Sequence, residues 1–231
     1  MATAHFVDGE KGGVGKSFVA RTMVQYRLDR DSPFVAVETD RSNADVANVY
    51  KGLCKYAVFT ESEKHADKAD RIFELAIDNP VIVSLPSQVH RAMKDWFERN
   101  DLIKLGESHG VKFCKWFVCN GEYDSVKLFI NSVNSYDPRV THILVKNLGL
   151  CDEWEQVDED EELQKLLKKQ KIKVIEFPKL SYRERYIINK NRLTFAEARE
   201  YKEFRVMAQQ RVVNFLKAAY AVFDSTGVWD E

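Results

Sequence analysis

The sequence lacks the features of a membrane-spanning, secreted or disordered protein. No window approaches the roughly 18 uninterrupted apolar residues that a spanning helix needs, and the first 30 residues contain charges and glycines instead of a signal peptide. Only 10 Gly and 5 Pro occur in 231 residues, of which 45% are apolar, and this excludes collagenous and low-complexity classes. We therefore expect a cytoplasmic protein without a membrane anchor.

The four cysteines and five histidines show no metal or disulfide pattern. No CxxC pair occurs, although Cys114 and Cys119 lie near each other in the sequence. We interpret the cysteines as reduced and mostly buried, and we expect no structural metal site. The net charge of −1 excludes a protein that coats nucleic acid with its whole surface, but it leaves a local basic face open.

Short apolar runs alternate with longer amphipathic stretches along the whole chain. This pattern is typical of a parallel sheet with helices on both faces, so we expect a three-layer α/β fold with a mostly parallel twisted sheet, in a single domain over residues 1–231. The predicted strands cover residues 4–7, 34–37, 81–83, 113–119, 141–145 and 174–177. The predicted helices cover about residues 15–29, 70–77, 91–105, 125–133, 163–167 and 196–223.

A glycine-rich segment lies between the first predicted strand and the first predicted helix. It reads Gly9-Glu10-Lys11-Gly12-Gly13-Val14-Gly15-Lys16-Ser17 and ends in the Gly-Lys-Ser of a P-loop. Glycines let several backbone N–H groups converge on phosphate oxygens, and the helix N-terminus adds positive charge. Lys16 is placed to reach the β- and γ-phosphates, and the Ser17 hydroxyl to ligate Mg²⁺. A tight glycine turn alone would leave the Lys-Ser pair unexplained.

The segment from Lys11 to Ser17 resembles the deviant Walker A motif of the ParA/MinD family, P-loop ATPases that partition plasmids and chromosomes or position cell machinery. The strict P-loop spacing would place a glycine at Glu10, and the extra lysine follows directly. The resemblance implies an ATP-dependent sandwich dimer in which Lys11 contacts the partner's nucleotide and Lys16 its own. It also implies that ATP and Mg²⁺ are cofactors, with ATP bound by Gly12, Gly13, Val14, Gly15, Lys16, Ser17 and Phe18.

Two further segments resemble the elements that handle metal and water in this family. Family members carry Asp-x-Asp after the second strand, where this chain has Glu38-Thr39-Asp40. The resemblance implies that Asp40 orients the attacking water near Mg²⁺, while the alternative is that Glu38 and Asp40 flank a solvated strand end. After the next predicted strand the family's aspartate is replaced by Ser84, with Pro86 retained. Since a hydroxyl brings no negative charge to Mg²⁺, we expect slow ATP hydrolysis.

After the fifth predicted strand, Asn147 resembles the family's asparagine that faces the adenine ring. After the sixth, Pro178-Lys179-Leu180 resembles the loop that closes over the base. An asparagine after a strand is also a common turn residue. Its position relative to the P-loop favours the binding interpretation.

The charges are distributed unevenly. Residues 179–217 hold 10 Lys and Arg against 4 Glu, whereas residues 152–162 hold 8 acids. ParA-like relatives use such a C-terminal basic surface for sequence-independent DNA binding, and a solvated helix face with paired charges is the alternative. MinD-like relatives carry a basic amphipathic membrane tail, but residues 224–231 are acidic and short, so we expect no membrane contact there.

Three functions are compatible with these features. The main hypothesis is a dimeric ATP-hydrolysing switch that acts in plasmid or chromosome partition or mobilisation through a protein partner. The second is an adaptor that binds ATP, hydrolyses it poorly and acts by binding a partner. The third, a metabolic enzyme that uses ATP on a small substrate, lacks any sequence signature of a second pocket.

Overall fold

Seven strands and eleven α-helices alternate along the part of the chain that a computed structural model describes, residues 2–229. The strands are β1 (Ala2–Asp8), β2 (Val35–Glu38), β3 (Cys54–Tyr56), β4 (Val81–Ser84), β5 (Val111–Cys119), β6 (Thr141–Asn147) and β7 (Lys173–Phe177). The helices are α1 (Lys16–Asp29), α2 (Asp45–Val49), α3 (Asp70–Asp78), α4 (His90–Arg99), α5 (Leu102–His109), α6 (Tyr123–Ser135), α7 (Glu155–Asp158), α8 (Glu161–Gln170), α9 (Tyr182–Lys190), α10 (Phe195–Arg199) and α11 (Val206–Ser225). A 3₁₀ helix (Glu63–Ala69) precedes α3.

The described strands form one sheet in the order β3-β2-β4-β1-β5-β6-β7, and every pair in it is parallel. The central strand β1 lies between β4 and β5. Because the carboxyl ends of parallel strands meet at one edge, the loops after β1, β4 and β5 are neighbours. Open α/β sheets bind their ligands at this kind of edge.

Side chains along the strands alternate between the two faces of the sheet. Ala4 and Phe6 of β1 pack in an apolar cluster with residues of α3, α4 and α5, whereas Val7 packs in the cluster that contains residues of α1 and α11. A third cluster joins β5 and β6 to α6 and α8. Helices therefore cover both faces, and the expected three-layer fold is confirmed.

The prediction of one continuous helix over residues 91–105 is wrong, because the chain forms two helices there, α4 and α5. Asp101 adopts φ +46 and separates them. The Asn100 side-chain amide donates to the Trp96 carbonyl at 3.0 Å and so satisfies a carbonyl at the end of α4. The turn lets Leu102 of α5 join the same apolar cluster as Trp96.

The helix predicted over residues 196–223 is also interrupted. The rings of Phe195 and Phe215 lie 5.6 Å apart, whereas 20 residues of continuous helix would separate them by about 30 Å. The chain reverses between α10 and α11, with Phe204 buried in the turn. Phe195 and Phe215 can then pack in the cluster beside α1.

Five elements were not predicted: the short edge strand β3, the helices α2, α7 and α9, and the 3₁₀ helix. The unpredicted β3 shifts the numbering, so the third predicted strand, residues 81–83, corresponds to β4. Cys114 and Cys119 are buried, Cys54 and Cys151 are half-buried, and all four are free thiols.

None of the helices within residues 2–229 is both long and apolar enough to cross a membrane. Met1, Asp230 and Glu231 lie outside the described residues. The assignment of residues 1–231 to a single domain therefore stays a prediction. The same holds for the expectation that the acidic end of the chain makes no membrane contact.

Candidate nucleotide-binding site

The glycine-rich segment forms the turn from β1 into α1. Gly15 has φ +99 directly before α1, and a side chain there would collide with the Asn147 amide. A Cβ at Gly9 would lie 2.8 Å from the Val118 carbonyl oxygen, so the start of the turn is close-packed against β5. Gly12 and Gly13 are exposed, whereas Val14 is buried. The loop is thus fixed at its base and open to solvent between Lys11 and Val14.

Glu10 occupies the position where the strict P-loop pattern has glycine. It adopts φ +44, a left-handed conformation that costs a non-glycine residue roughly 1 kcal/mol. Its carbonyl accepts a hydrogen bond from the Gln88 N–H at 3.0 Å, and its carboxylate lies beside the backbone N–H groups of Val89 and His90. These contacts join the P-loop to the start of α4, which explains why a side chain is tolerated there.

A fully buried ion pair lies beneath the P-loop. Asp8 Oδ2 and Lys115 Nζ are 2.8 Å apart, and both side chains are 0% exposed. Asp8 Oδ1 accepts the N–H groups of Gly9 at 2.6 Å and Glu10 at 3.2 Å, and Lys115 also donates to Ser132 Oγ at 3.0 Å. Burial alone would raise the pKa of Asp8, but the Lys115 charge and these bonds outweigh it and hold the pKa below its usual value. The pair anchors the first residues of the P-loop.

Lys16, at the start of α1, is a buried cation that takes part in none of the ion pairs found within residues 2–229. Its Nζ donates to the Lys11 carbonyl at 2.9 Å and to Ser87 Oγ at 3.0 Å. Burial lowers the pKa of Lys16, although the charges of Asp8, Glu10 and Asp40 act in the opposite direction. A bound anion would supply the negative charge that this cation lacks at close range. Ser17 follows it in the first turn of α1 and is half-buried.

Lys11 lies on the exposed side of the P-loop and pairs with Glu122, just before α6. Both side chains are more than a third exposed: 35% for Lys11 and 61% for Glu122. Such a pair is screened by water and contributes little to stability. The contact of Lys11 with a partner's nucleotide stays a prediction.

Glu38 is buried at the end of β2, so the alternative of a solvated strand end is wrong for this residue. It is 1% exposed and lies opposite Ser84 in the register of β2 and β4. Its carboxylate accepts the N–H groups of Thr39, Asp40 and Val46, each at 3.1 Å, and a hydrogen bond from the Ser84 hydroxyl. Burial raises the pKa of Glu38 to about 7 despite these bonds. Glu38 therefore fixes the loop that presents Asp40.

Asp40 follows that strand end and is half-buried. Its Oδ1 accepts hydrogen bonds from the Ser42 hydroxyl at 2.7 Å, the Ser42 N–H at 3.0 Å and the Asn43 N–H at 2.9 Å. Burial raises the pKa of Asp40, but these bonds and the charge of Lys16 outweigh it and lower the pKa. Asp40 is thus an ionised carboxylate in the electrostatic field of Lys16.

The oxygen groups of Ser17 and Asp40 are of the type that Mg²⁺ prefers, and Mg²⁺ commonly combines one or two protein oxygens with phosphate oxygens and water. Within residues 2–229 no group of three or more His, Cys, Asp or Glu is arranged to hold a metal ion. The residues present therefore fit a magnesium ion that arrives with a nucleotide, and they do not form a preassembled metal site.

A cleft of about 630 Å³ opens beside the P-loop. Its lining includes Gly13 and Gly15 at one end, Phe18 of α1, and both predicted base-contacting residues, Asn147 and Pro178. The Asn147 amide donates to the Val14 carbonyl at 2.8 Å. The structure thus brings the phosphate-loop residues and the predicted adenine-contacting residues together in one cleft, whose volume is in the range of small-molecule sites.

The far wall of the cleft is α9, which the sequence analysis missed. It contributes Tyr182, Arg185, Tyr186, Asn189 and Lys190 to the lining. Ser181 and Glu184 have the spacing of a capping box and could have predicted this helix. In the structure Ser181 makes no side-chain cap, and Glu184 pairs with Arg211 of α11.

The basic segment 179–217 is only partly paired. Lys179, Arg199 and Arg211 form ion pairs with Asp152, Asp29 and Glu184. Six further cations are exposed and take part in none of the ion pairs found within residues 2–229: Arg183, Lys190, Arg192, Lys202, Arg205 and Lys217.

Comparisons with known proteins agree with this architecture. No protein-family model matches the chain. Protein MobD of Acidithiobacillus ferrooxidans is 26% identical over 149 residues, which are 61% of this chain and 61% of MobD, so the chain spans about three-fifths of the length of this curated relative. 

Two solved structures share the fold. A nucleotide-binding protein in complex with ADP from Archaeoglobus fulgidus is 13% identical with a TM-score of 0.52, covering 82% of this chain and 86% of that chain. The MinC:MinD cell division protein complex of Aquifex aeolicus gives 12% identity and a TM-score of 0.50, covering 94% of each chain. The likeness to the ParA/MinD fold that the P-loop segment indicated is confirmed.

Proposed function

We propose that the chain is an ATP-binding and ATP-hydrolysing dimeric switch of the partition or mobilisation type. The observation that carries this proposal is Lys16, a buried cation at the N-terminus of α1 whose hydrogen-bond partners among the described residues are an uncharged carbonyl and a hydroxyl. An anion such as a nucleotide phosphate completes this arrangement. The ADP bound by the Archaeoglobus fulgidus protein of the same fold and the similarity to MobD support the proposal.

In the proposed reaction, water attacks the γ-phosphorus, the bond from this phosphorus to the β–γ bridging oxygen breaks, and ADP, inorganic phosphate and one proton leave to solvent. Lys16 and the N–H groups of the P-loop bind the phosphate oxygens, and Lys11 of a second copy adds positive charge from the other side. Asp40 accepts a hydrogen bond from the attacking water and so orients it. Ser17 and Asp40 would help to hold Mg²⁺, which would supply positive charge to neutralise the phosphates. The chain contributes positioning and charge neutralisation, without a covalent intermediate.

The proposal is tested by titrating the protein with a fluorescent ATP analogue in the presence of Mg²⁺. Lys16→Ala should reduce binding by at least an order of magnitude, because the phosphates lose a buried charge-assisted hydrogen bond. Lys104→Ala is the matched control, since it removes a 74% exposed lysine side chain far along the sequence on α5. Absence of binding by well-folded wild-type protein would refute the proposal.

The adaptor alternative is favoured by Ser84, which stands where the family has an acid. Phosphate release by the wild type distinguishes the two functions: measurable release that collapses in Asp40→Ala supports the ATPase, and tight ATP binding without release supports the adaptor. Ser84→Asp tests the missing acid directly. Because Glu38 lies opposite Ser84, Glu38→Gln is needed in the same background to separate a catalytic effect from repulsion between two buried carboxylates.

We extend the proposal to partners. The MinC:MinD complex of a protein with the same fold supports a protein partner.

The exposed cations Lys202 and Arg205, between α10 and α11, support sequence-independent DNA contact. Affinity for a random duplex should then fall steeply with salt and more weakly after Lys202→Glu plus Arg205→Glu. A duplex affinity that does not depend on salt would favour the paired-charge alternative.

A further inference from the structure

We propose that Tyr182 and Tyr186 of α9 form an aromatic platform on which the base of the bound nucleotide stacks. This inference rests on the proposed function, since it assigns a specificity-determining surface to the same cleft. The two side chains are one helical turn apart, and their ring planes are inclined by only 26° with centroids 6.2 Å apart. Both line the same cleft as the P-loop glycines Gly13 and Gly15.

The platform is held in place from both ends of α9. Near its N-terminal end, Arg185 Nη1 donates to the Gly149 carbonyl at 3.0 Å, in the loop that follows Asn147, the last residue of β6. Near its C-terminal end, the Asn189 side-chain oxygen accepts a hydrogen bond at 2.9 Å from Arg21, a buried residue of α1. The helix is therefore tied both to the P-loop helix and to the loop after β6. A surface with these two attachments has a fixed position relative to the phosphate end of the cleft.

Exposure of the rings agrees with a ligand-facing role. Tyr182 is 71% exposed and Tyr186 is 54% exposed, although each is large enough to bury much apolar surface. Arg185 lies 6.0 Å from the Tyr182 ring centroid and adds a cation beside the aromatic surface. Stacking on an aromatic ring uses the π-face that every base has, so the platform would favour a nucleobase over phosphate alone without reading its edge.

The experiment compares ATP with inorganic tripolyphosphate as competitors for a fluorescent ATP analogue, each with Mg²⁺. Tyr182→Ala plus Tyr186→Ala should weaken ATP about 5- to 100-fold, as expected for the loss of base stacking, and leave tripolyphosphate within about twofold. Tyr182→Phe plus Tyr186→Phe should retain ATP affinity, because the aromatic faces remain. Tyr56→Ala is the control, since Tyr56 is 58% exposed but lies on the edge strand β3.

The adenine protons give a second readout that a general structural effect would not produce. Their NMR resonances should shift upfield on binding to the wild type through the ring current, and this shift should be lost in the alanine variant. Equal loss of ATP and tripolyphosphate affinity, or unchanged affinity for both, would overturn the platform while leaving the P-loop proposal intact. If the wild type binds neither competitor, the proposed function fails and the platform fails with it.

Discussion

At the scale of single residues, the buried carboxylate of Glu38 makes stability depend on pH. Its pKa is about 7 in the folded chain against an ordinary 4.5, because burial disfavours the charged form. Between these pH values the folded state binds more protons than the unfolded state, so the free energy of unfolding falls as pH rises. The fall is on the order of 3 kcal/mol at 1.36 kcal/mol per pH unit.

We therefore expect Glu38→Gln to flatten the decline in stability between pH 5 and pH 7, measured by urea denaturation without nucleotide. The exposed Glu162→Gln on α8 is the control and should keep the wild-type dependence. A variant of Glu38 that loses stability over this interval as steeply as the wild type would show that another group titrates there.

The Asp8–Lys115 pair gives a second residue-scale prediction. Lys115→Met leaves the Asp8 carboxylate buried and unpaired, and removing one partner of a buried pair typically costs about 3–5 kcal/mol. Adding Asp8→Asn removes the unpaired charge, so the double variant should be more stable than Lys115→Met alone. Urea denaturation of the two single variants and the double variant measures this coupling. Additive losses would mean that the two charges do not interact.

At the scale of elements, the end of α8 offers a test of backbone conformation. Lys171 follows the helix with φ +53 and caps it with its N–H, a position where glycine is preferred. Lys171→Gly should raise the free energy of unfolding by about 0.5–1 kcal/mol, because the left-handed strain is removed. Lys169→Gly, two residues earlier within the helix, should lower it by a similar amount of about 0.5–1 kcal/mol. Equal signs for the two substitutions, compared by thermal and urea unfolding, would contradict this account.

The elements also show what the sequence could predict. The strands β1, β2, β4, β5, β6 and β7 and the helix α1 could be found because runs of apolar residues and the P-loop mark them. The breaks before α5 and α11 could not, because amphipathic periodicity continues across Asp101, where one helix ends and the next begins, and across Phe204, where the chain reverses. Only packing between distant residues, such as Phe195 with Phe215, requires those turns.

The same limit applies to the site. The P-loop residues are contiguous, so their spacing carries the chemistry, and Asn147 and Pro178 follow strands whose ends meet at one edge. Lys115 does carry a sequence signal, because it is the single charged residue in the otherwise apolar run 113–119. The tyrosines of α9 lacked such a signal, because only tertiary contacts place that helix against the cleft.

At the scale of the whole molecule, the Lys11–Glu122 pair opposes the proposed dimer. If Lys11 acts on the nucleotide of a second copy, it must first leave Glu122. Glu122→Gln weakens this intramolecular contact and should lower the ATP concentration at which dimers form by only a few-fold, because an exposed pair is weak. Lys11→Ala removes the cation itself, so this variant should bind ATP through Lys16 and remain a monomer.

Light scattering of the apo, ADP and Mg²⁺–ATP states tests this directly. The wild type should have a mass near 26.8 kDa without nucleotide and with ADP, and twice that mass with ATP. Lys104→Ala, which removes an exposed lysine on α5, should dimerise like the wild type. Binding of ATP must be measured in parallel, because Lys11→Ala would also stay monomeric if it had lost the nucleotide. A mass that is the same in all three states would refute the switch, even if every variant binds ATP as expected. The bound nucleotide would then have no effect on the association of two copies.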